Sequence, residues 1–347
     1  MKACILSAWS ELPDCALDLL AQAEQACPFS GKTWFEVFSR QIAAPGQQPQ
    51  WLVLFEHETT VLLLPMLALS RGRTRVLSSF SNYYTPYFSP VSSSGNVTEL
   101  LKILFEQVRD YLRGFDVLEF FPLTAETRTA LLAGAHGGGN IADTQVHTWN
   151  WRERGIQGYA QYWSTRDSRL RNTVRRKQHK LDAIGDYRFS IAAPDTIEQA
   201  MEAYRRVYAN SWKPEENFPD FIIDLIRTYA REGSLRLGLA YHANRAVAAQ
   251  IWLVKARKAY IYKLAYDKDY RGVSVGTLLS HYLFRNAIEI DQVHTVDYLT
   301  GDDAYKVQWV SERRPLYRLS LINPRRPAGA VLILRQTLGR VINRFSR

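Results

Sequence analysis

KLAYDKDYRGVSVGTLLSHYLFRNAIEIDQVHTVDYLTGDDAYKVQW, residues 263–309, reads as strand, glycine-bearing turn, amphipathic helix and strand. AYIYKLAY (259–266) has the β-branched and aromatic content of a strand, and RGVSVG (271–276) follows as a turn on which backbone N–H groups can converge. Val275, Leu279, Tyr282 and Leu283 recur at helical spacing directly after it. The turn therefore presents the uncapped N–H groups and positive dipole end of a helix to an anion, and a diphosphate suits such a place.

The preceding residues extend the pattern. YRFSIAA, LRLGLAY, AVAAQIWLV and AYIYKLAY read as strands, and DTIEQAMEAYRRVYANSW and FPDFIIDLIRTYARE as helices. Asp195 and Glu198 have capping-box spacing, and Ile197, Met201, Tyr204 and Tyr208 give the first helix an apolar, core-facing side. After the turn come a strand at TVDYL, a short helix from about Asp302 with that residue as its N-cap, and a last strand at LYRLSL. The first half is also mixed. Helices are expected at SGKTWFEVFSRQI, VTELLKILFEQVRDYLR and AETRTALLAGAH, and strands at WLVLFEH, TVLLLPMLAL, DVLEFFPL and DTQVHTWNW. Gly137-Gly138-Gly139 has no helix pattern behind it and reads as a turn. The fold class is α/β (α+β), two domains each with a mixed central sheet flanked by helices.

At 347 residues the chain is long for one core and comfortable for two. Acidic and proline residues interrupt the apolar run of MKACILSAWSELPDC, so no signal peptide is expected, and no apolar run is long enough to span a bilayer. Cys4, Cys15 and Cys27 lack metal-ligand spacing, and the seven histidines are scattered. The expectation is a cytoplasmic protein without a metal. Net charge is +10 with a pI near 9.5. Arg166, Arg169, Arg171, Arg175, Arg176, Lys177 and Lys180 face the single acid Asp167 between them, a segment that attracts polyanions. FSNYYTPYFSP (80–90) reads as a loop with aromatic walls, in which Tyr83 and Tyr84 can stack on a sugar or pack at an interface. In the tail, Val331, Leu334, Leu338 and Ile342 share a helical face above several arginines, suited to docking on its own domain or to an anionic membrane surface.

Arg271-x-x-Ser274-x-Gly276 resembles the Arg/Gln-x-x-Gly-x-Gly/Ala signature with which GNAT acyltransferases hold the pyrophosphate of coenzyme A, with serine in place of the middle glycine. SWK (211–213), KLAYD (263–267), SVGTLL (274–279) and DYLTGDDAYKVQW (297–309) are similar, in the same order, to cellulose- or exopolysaccharide-associated acetyltransferases, a branch related to Fem-type peptidyltransferases. The resemblance implies two tandem GNAT-like domains. Residues 1–153 would be a degenerate domain on the acceptor side, and 154–322 the acyl-CoA-binding domain with a basic linking helix at about 157–182. Residues 323–347 would form a basic amphipathic C-terminal helix. It also implies that acetyl-CoA or another acyl-CoA lies along Ala265 and Tyr266 and on Arg271, Gly272, Ser274, Val275, Gly276 and Thr277. Arg176 would flank a phosphate, and Trp212 and Lys213 would border the acceptor cleft, with Lys213 meeting an acidic acceptor.

Acyl transfer from a thioester needs an activated amine or hydroxyl, a proton for the leaving thiolate and stabilisation of an oxyanion. Gly301 to Lys306 follows a strand, where Asp303 can serve as base, Tyr305 as acid and Lys306 as the cation that holds phosphate or polarises the carbonyl. The other reading of Asp303 is a capping or salt-bridge carboxylate paired with Arg313 or Arg314. In Fem-type relatives a lysine in the matching motif lies near the reacting ester. Direct transfer to a sugar, nucleotide-sugar or polysaccharide precursor is the expected activity, in the cytoplasm or at the inner membrane face. Two alternatives are a Fem-type transferase using aminoacyl-tRNA and a non-catalytic polyanion or membrane-surface binder.

Overall fold

In the computed structural model, residues 1–41, 47–93 and 95–345 are described, without the side chains of 339–345. Contacts divide the chain into two compact units, residues 1–149 with 315–347 and residues 150–314. The chain's last strand thus returns to the first unit, and residues 315–322 belong there.

The first unit contains β1 (Lys2–Leu6), α1 (Asp14–Ala26), α2 (Lys32–Gln41), β2 (Gln48–Glu56), β3 (Thr59–Arg71), β4 (Thr74–Ser79) and β5 (Val91–Ser92). It continues with α3 (Val97–Gln107), α4 (Arg109–Leu112), β6 (Val117–Leu123), α5 (Ala125–Gly134) and the start of β7 (Ile141–Arg154). Ile42, the expected end of α2, lies outside the described residues. β1, β2, β3 and β4 pair antiparallel in that order, and β4 pairs parallel with β6 over Val76–Ser78 and Val117–Glu119. Beyond that parallel segment the two strands are stitched by serine hydroxyls: Ser79 Oγ and Ser81 Oγ donate to the Phe121 carbonyl at 3.0 and 2.6 Å. The aromatic loop divides. Phe80 is fully buried against Phe38 and Trp51, and Phe88 and Tyr84 are buried, whereas Tyr83 is 85% exposed.

The second unit holds the end of β7, then α6 (Tyr159–Ser164), α7 (Ser168–Ile184), β8 (Tyr187–Ile191), α8 (Ile197–Ala209), α9 (Pro219–Arg231), β9 (Leu235–His242), β10 (Arg245–Lys255) and β11 (Lys258–Tyr266). A 3₁₀ turn (Lys268–Val273), α10 (Val275–Glu289), β12 (Thr295–Thr300) and the start of β13 (Glu312–Ile322) complete it. β8, β9, β10 and β11 are antiparallel neighbours, β11 pairs parallel with β12, and β12 pairs antiparallel with β7. Leu237, Leu239, Trp252, Leu279, Leu283 and Phe284 are buried in the core of this unit.

Several local expectations change. The basic helix expected at about 157–182 is two helices, α6 and α7, inside the second unit, because Asp167 accepts from the Arg169 N–H at 2.6 Å and starts α7 anew. Arg166, between them, is buried with Glu153 at 3.0 Å and the Trp309 carbonyl at 2.7 Å. Glu198 makes no capping box; it takes a two-pronged bond from Arg227 of α9. Asp302 caps no helix and instead binds Arg313 and Trp151 Nε1. In α11 (Pro327–Phe345) the docked residues are Leu332 and Ile333, which pack on Val76, Val117 and Ile322. Val331, Leu334 and Leu338 are exposed on the helix, and the Ile342 side chain lies outside the described residues.

Candidate active site

β11 and β12 pair only over Lys258–Tyr260 and Thr295–Asp297, yet they continue to Tyr266 and Thr300. Past those three pairs they separate and leave a seam lined by strand backbone. On its other edge β11 stays paired with β10 to its last residue, Tyr266 opposite Ala248, across an irregularity at Ile251/Trp252. β12 is bent by a bulge at Leu299, whose φ is +56°. Asp297 Oδ1 accepts from Leu299 N and from Asn150 Nδ2, each at 2.7 Å, which satisfies backbone the bulge would strand.

The turn at the end of β11 is anchored by buried Asp267, which accepts from Asp269 N at 3.1 Å and from Arg245 at 2.6 Å. Ser274 then takes a left-handed conformation (φ +57°, ψ +37°), the reason glycine suits that place, and α10 starts at Val275. Gly276 is a packing necessity: a β-carbon there would lie 2.9 Å from Cδ1 of Tyr266. Gln250 ties the same turn of helix to β10 by bonds to the Gly276 carbonyl and Ser280 Oγ. With Thr277 N bonded to the Ser274 carbonyl at 3.0 Å, Val275 and Gly276 keep the first helical N–H groups, which have no partner within a helix. Arg271 and Gly272 are exposed beside them, and nothing stands within 4 Å of a β-carbon placed on Gly272. From α7 it is Lys177 that reaches the turn, donating to the Gly272 carbonyl at 2.6 Å; Arg176 is exposed.

The loop from Ser211 to Phe218 lies along β11. Trp212, 52% exposed, packs on the ring of Tyr266 at 4.4 Å between centroids, and Glu216 binds Lys263 at 2.8 and 2.9 Å. After β12, Lys306 is buried and donates to the carbonyls of Thr300 at 2.8 Å and Gly301 at 3.1 Å, with Asp303 Oδ2 at 3.2 Å. Its protons are thereby engaged, so it pins the end of β12. Asp303 itself is more than half exposed and pairs with Lys306, not with an arginine. Tyr305 packs edge-on against Tyr298. Burial, reinforced by Asp303, raises the Tyr305 pKa, so its hydroxyl stays protonated at neutral pH. Burial and the neighbouring Lys263 pull the amine of Lys213 down to about 8. His281 shares a 2.6 Å hydrogen bond with Tyr159, and burial holds it near 4, a neutral packing residue.

The structure thus groups Ala265, Tyr266, Arg271, Gly272, Ser274, Val275, Gly276 and Thr277 at one end of the seam, and Lys213, Asp303, Tyr305 and Lys306 near the other strand end. Tyr83 and Tyr84 lie in the first unit. The sequence reading gave no site role to Lys177, Glu216, Gln250, Lys263 or Asp267, although Lys177 stands in the basic run and Lys263 and Asp267 end the KLAYD motif. Only Lys263 and Asp267 carried a local signal, being polar residues at the end of an apolar strand.

Residues 168–307 match the family model described as an acetyltransferase (GNAT) domain. No curated protein matches the chain. Among solved structures the chain is similar to FemX, at 9% identity over 87% of this chain and 96% of that one, with a TM-score of 0.62. It is also similar to L-PGS from Bacillus licheniformis (12% identity, 87% and 95% covered, TM-score 0.53). A tandem GNAT protein from the clavulanic acid biosynthesis pathway is a further likeness (13% identity, 94% and 100% covered, TM-score 0.52). At such identities these likenesses speak for the fold, two tandem GNAT-like domains. The family match covers residues 168–307, and the structural likenesses extend a GNAT-like fold along the chain.

Proposed function

We propose that the second unit binds an acyl-CoA and passes its acyl group directly to a hydroxyl or amine of a sugar, nucleotide-sugar or polysaccharide precursor. The observation that carries this reading is the seam between β11 and β12 ending at the N-terminus of α10. The N–H groups of Val275 and Gly276, with Arg271 beside them, suit a pyrophosphate. The edge of β11 at Ala265 and Tyr266 that faces the seam, without a β12 partner, suits the amide-bearing arm that follows. In the transfer, the acceptor's lone pair attacks the thioester carbon, its proton passes to Asp303, the C–S bond breaks, and Tyr305 protonates the departing sulfur. Lys306 acts as a positioning residue that fixes the strand end carrying these groups. In the first unit, Tyr83 offers an exposed aromatic face suited to stacking on a sugar, and serine hydroxyls bridge the β4/β6 divergence. The exposed face of α11, Val331, Leu334 and Leu338 beside Arg335, suits contact with an anionic bilayer. Among the described residues no helix is long and apolar enough to cross one.

The test is thermal stabilisation by a panel of acyl-CoAs, with aminoacyl-tRNA in parallel. At about a hundred times the dissociation constant a ligand adds roughly 2.7 kcal/mol. A shift with one acyl-CoA that disappears in Gly272→Glu, where the new carboxylate has room but repels phosphate, supports the donor assignment. Stabilisation by aminoacyl-tRNA alone would replace it with the Fem-type reading.

A further inference from the structure

In the first unit Val117 of β6 packs with Leu332 and Ile333 of α11, and Glu119 and Phe121 follow at alternate positions on the same side of the strand. Beside the docked helix the sheet is charged. Glu119, a buried carboxylate, accepts from Arg71 at the end of β3 through Nη1 at 3.2 Å and Nη2 at 2.7 Å, and from Arg318 Nη1 of β13 at 2.8 Å. Arg71 Nη1 and Arg318 Nη1 share the oxygen Oε1, so one carboxylate holds two guanidinium groups side by side. The strand register then aims the second of them. Tyr317 pairs with Leu123 and Leu319 with Phe120, so Arg318 stands opposite Phe121 and Pro122. Its guanidinium lies 4.1 Å from the centre of the Phe121 ring, and His147 of β7 packs on that ring at 5.2 Å between centroids.

Among the described residues Arg318 has no hydrogen bond or ion pair besides Glu119, and its Nε and Nη2 are neither bonded nor buried. These two atoms form one edge of the guanidinium, a fork of parallel N–H donors that matches two oxygens of an oxyanion. Glu119 and the Phe121 ring fix the fork before any ligand arrives. The next carboxylates along β6 and β7 are committed elsewhere, Asp116 to Arg326 and Arg75 N, and Asp143 to Gln145 and Gln336.

We infer that the first unit binds a phosphoryl group on the free edge of Arg318, with Arg71 and His147 alongside. A carboxylate would satisfy the fork and nothing more, whereas a phosphoryl group has oxygens to spare for a second cation and an imidazole. The inference stands on the first unit alone and does not depend on the acyl-CoA reading of the second. A soluble phosphate ester and a lipid headgroup beside α11 offer the same group.

His147 supplies a local readout. The charged groups facing it are Arg318 of β13 and Glu119 of β6; partial burial and then Arg318 lower its pKa, and Glu119 acts against them. A phosphoryl anion stabilises the imidazolium, so binding raises the titration midpoint.

The experiment is an NMR titration of the full chain, with the His147 ring assigned by its loss in His147→Gln and Arg318 Nε by its loss in Arg318→Lys. Pyrophosphate and glucose 1-phosphate are the probes; acetate and chloride at equal ionic strength are the controls. The expected result is a saturable shift of both signals with the probes and a raised His147 midpoint, unchanged in Gly272→Glu, where the turn of the second unit repels phosphate. Binding read at His147 should weaken about tenfold or more in Arg318→Met. That variant leaves Glu119 paired with Arg71; should it fail to fold, Arg318→Lys, which keeps the charge without the fork, should show the loss. No shift, an equal shift with chloride or acetate, or undiminished binding in the Arg318 variants overturns the inference and leaves the cluster a structural ion network. Co-sedimentation with phosphatidylglycerol vesicles separates the sources. Loss of vesicle binding in Arg318→Met makes the ligand a lipid headgroup, and unchanged vesicle binding beside lost glucose 1-phosphate binding makes it a soluble ester.

Discussion

Gly276 and Tyr266 are in contact so close that a β-carbon on the first would lie 2.9 Å from a ring carbon of the second. Helix propensity alone makes Gly276→Ala favourable by up to about 1 kcal/mol, while overpacking costs about 1–3 kcal/mol. The single variant therefore changes stability modestly, and the interaction shows in a double-mutant cycle. In a Tyr266→Leu background, Gly276→Ala should be better tolerated by roughly 1 kcal/mol in urea unfolding. Additive effects would mean the ring yields freely and the contact sets nothing.

Ser274 occupies a left-handed conformation with no side-chain cap bond to compensate. Ser274→Gly should raise stability by about 0.5–1 kcal/mol. Chemical denaturation reads this directly, and an unchanged or lowered midpoint would show that the hydroxyl matters there.

Lys306 holds the carbonyls of Thr300 and Gly301 in a buried place. Lys306→Met leaves those acceptors unpaired and should cost about 2–4 kcal/mol. Activity and stability should fall together. Lost turnover in a variant that unfolds at the wild-type midpoint would instead make Lys306 a participant in the reaction.

Lys213 has a folded-state value of about 8 against an ordinary 10.5. Between those values the unfolded chain binds more protons than the folded one, so the Lys213 contribution to stability rises with pH across that window. Below pH 8 the desolvation cost is present in full. Lys213→Met should accordingly be roughly 1–3 kcal/mol more stable than wild type at pH 7, with the gain shrinking above pH 8 and vanishing near pH 10.5. A gain independent of pH would point to packing alone.

Val331, Leu334 and Leu338 are 48%, 60% and 52% exposed, so their joint replacement by serine should leave the melting temperature within a degree or so. The same variant should lose co-sedimentation with phosphatidylglycerol vesicles while neither protein binds phosphatidylcholine. Equal sedimentation of both proteins would remove the membrane proposal.

Much of the second unit was legible in the sequence because its signals are local. The strand AYIYKLAY, the turn at Arg271–Gly276 and the apolar spacing of Val275, Leu279 and Leu283 lie side by side in the chain and became β11, the 3₁₀ turn and α10. Charged residues were harder to read. Glu198, Asp302 and Lys306 have local positions suited to a cap or a catalyst, but their partners are Arg227 on another helix, Arg313 on the next strand and the carbonyls of a strand end. The tail shows the same limit from another side. Its helical period places Val331, Leu334 and Leu338 together, but a period does not say which face meets the body, and Leu332 and Ile333 do so. Asp167, the lone acid among cations, was visible as a charge yet its effect is conformational, starting α7 anew where one helix was expected over about 157–182.

The three-residue pairing of β11 with β12 has a consequence for the protein's motions. Strand edges that no neighbour ties exchange their amide protons with water quickly and are early places for a fold to loosen. In the unliganded protein those amides of residues 262–266 that face the gap should therefore exchange faster than the amides of residues 248–254 one strand away, whereas Leu299 N is held by Asp297. A molecule laid into that gap would act as a missing strand, so that the substrate of one turnover is for its duration part of the scaffold.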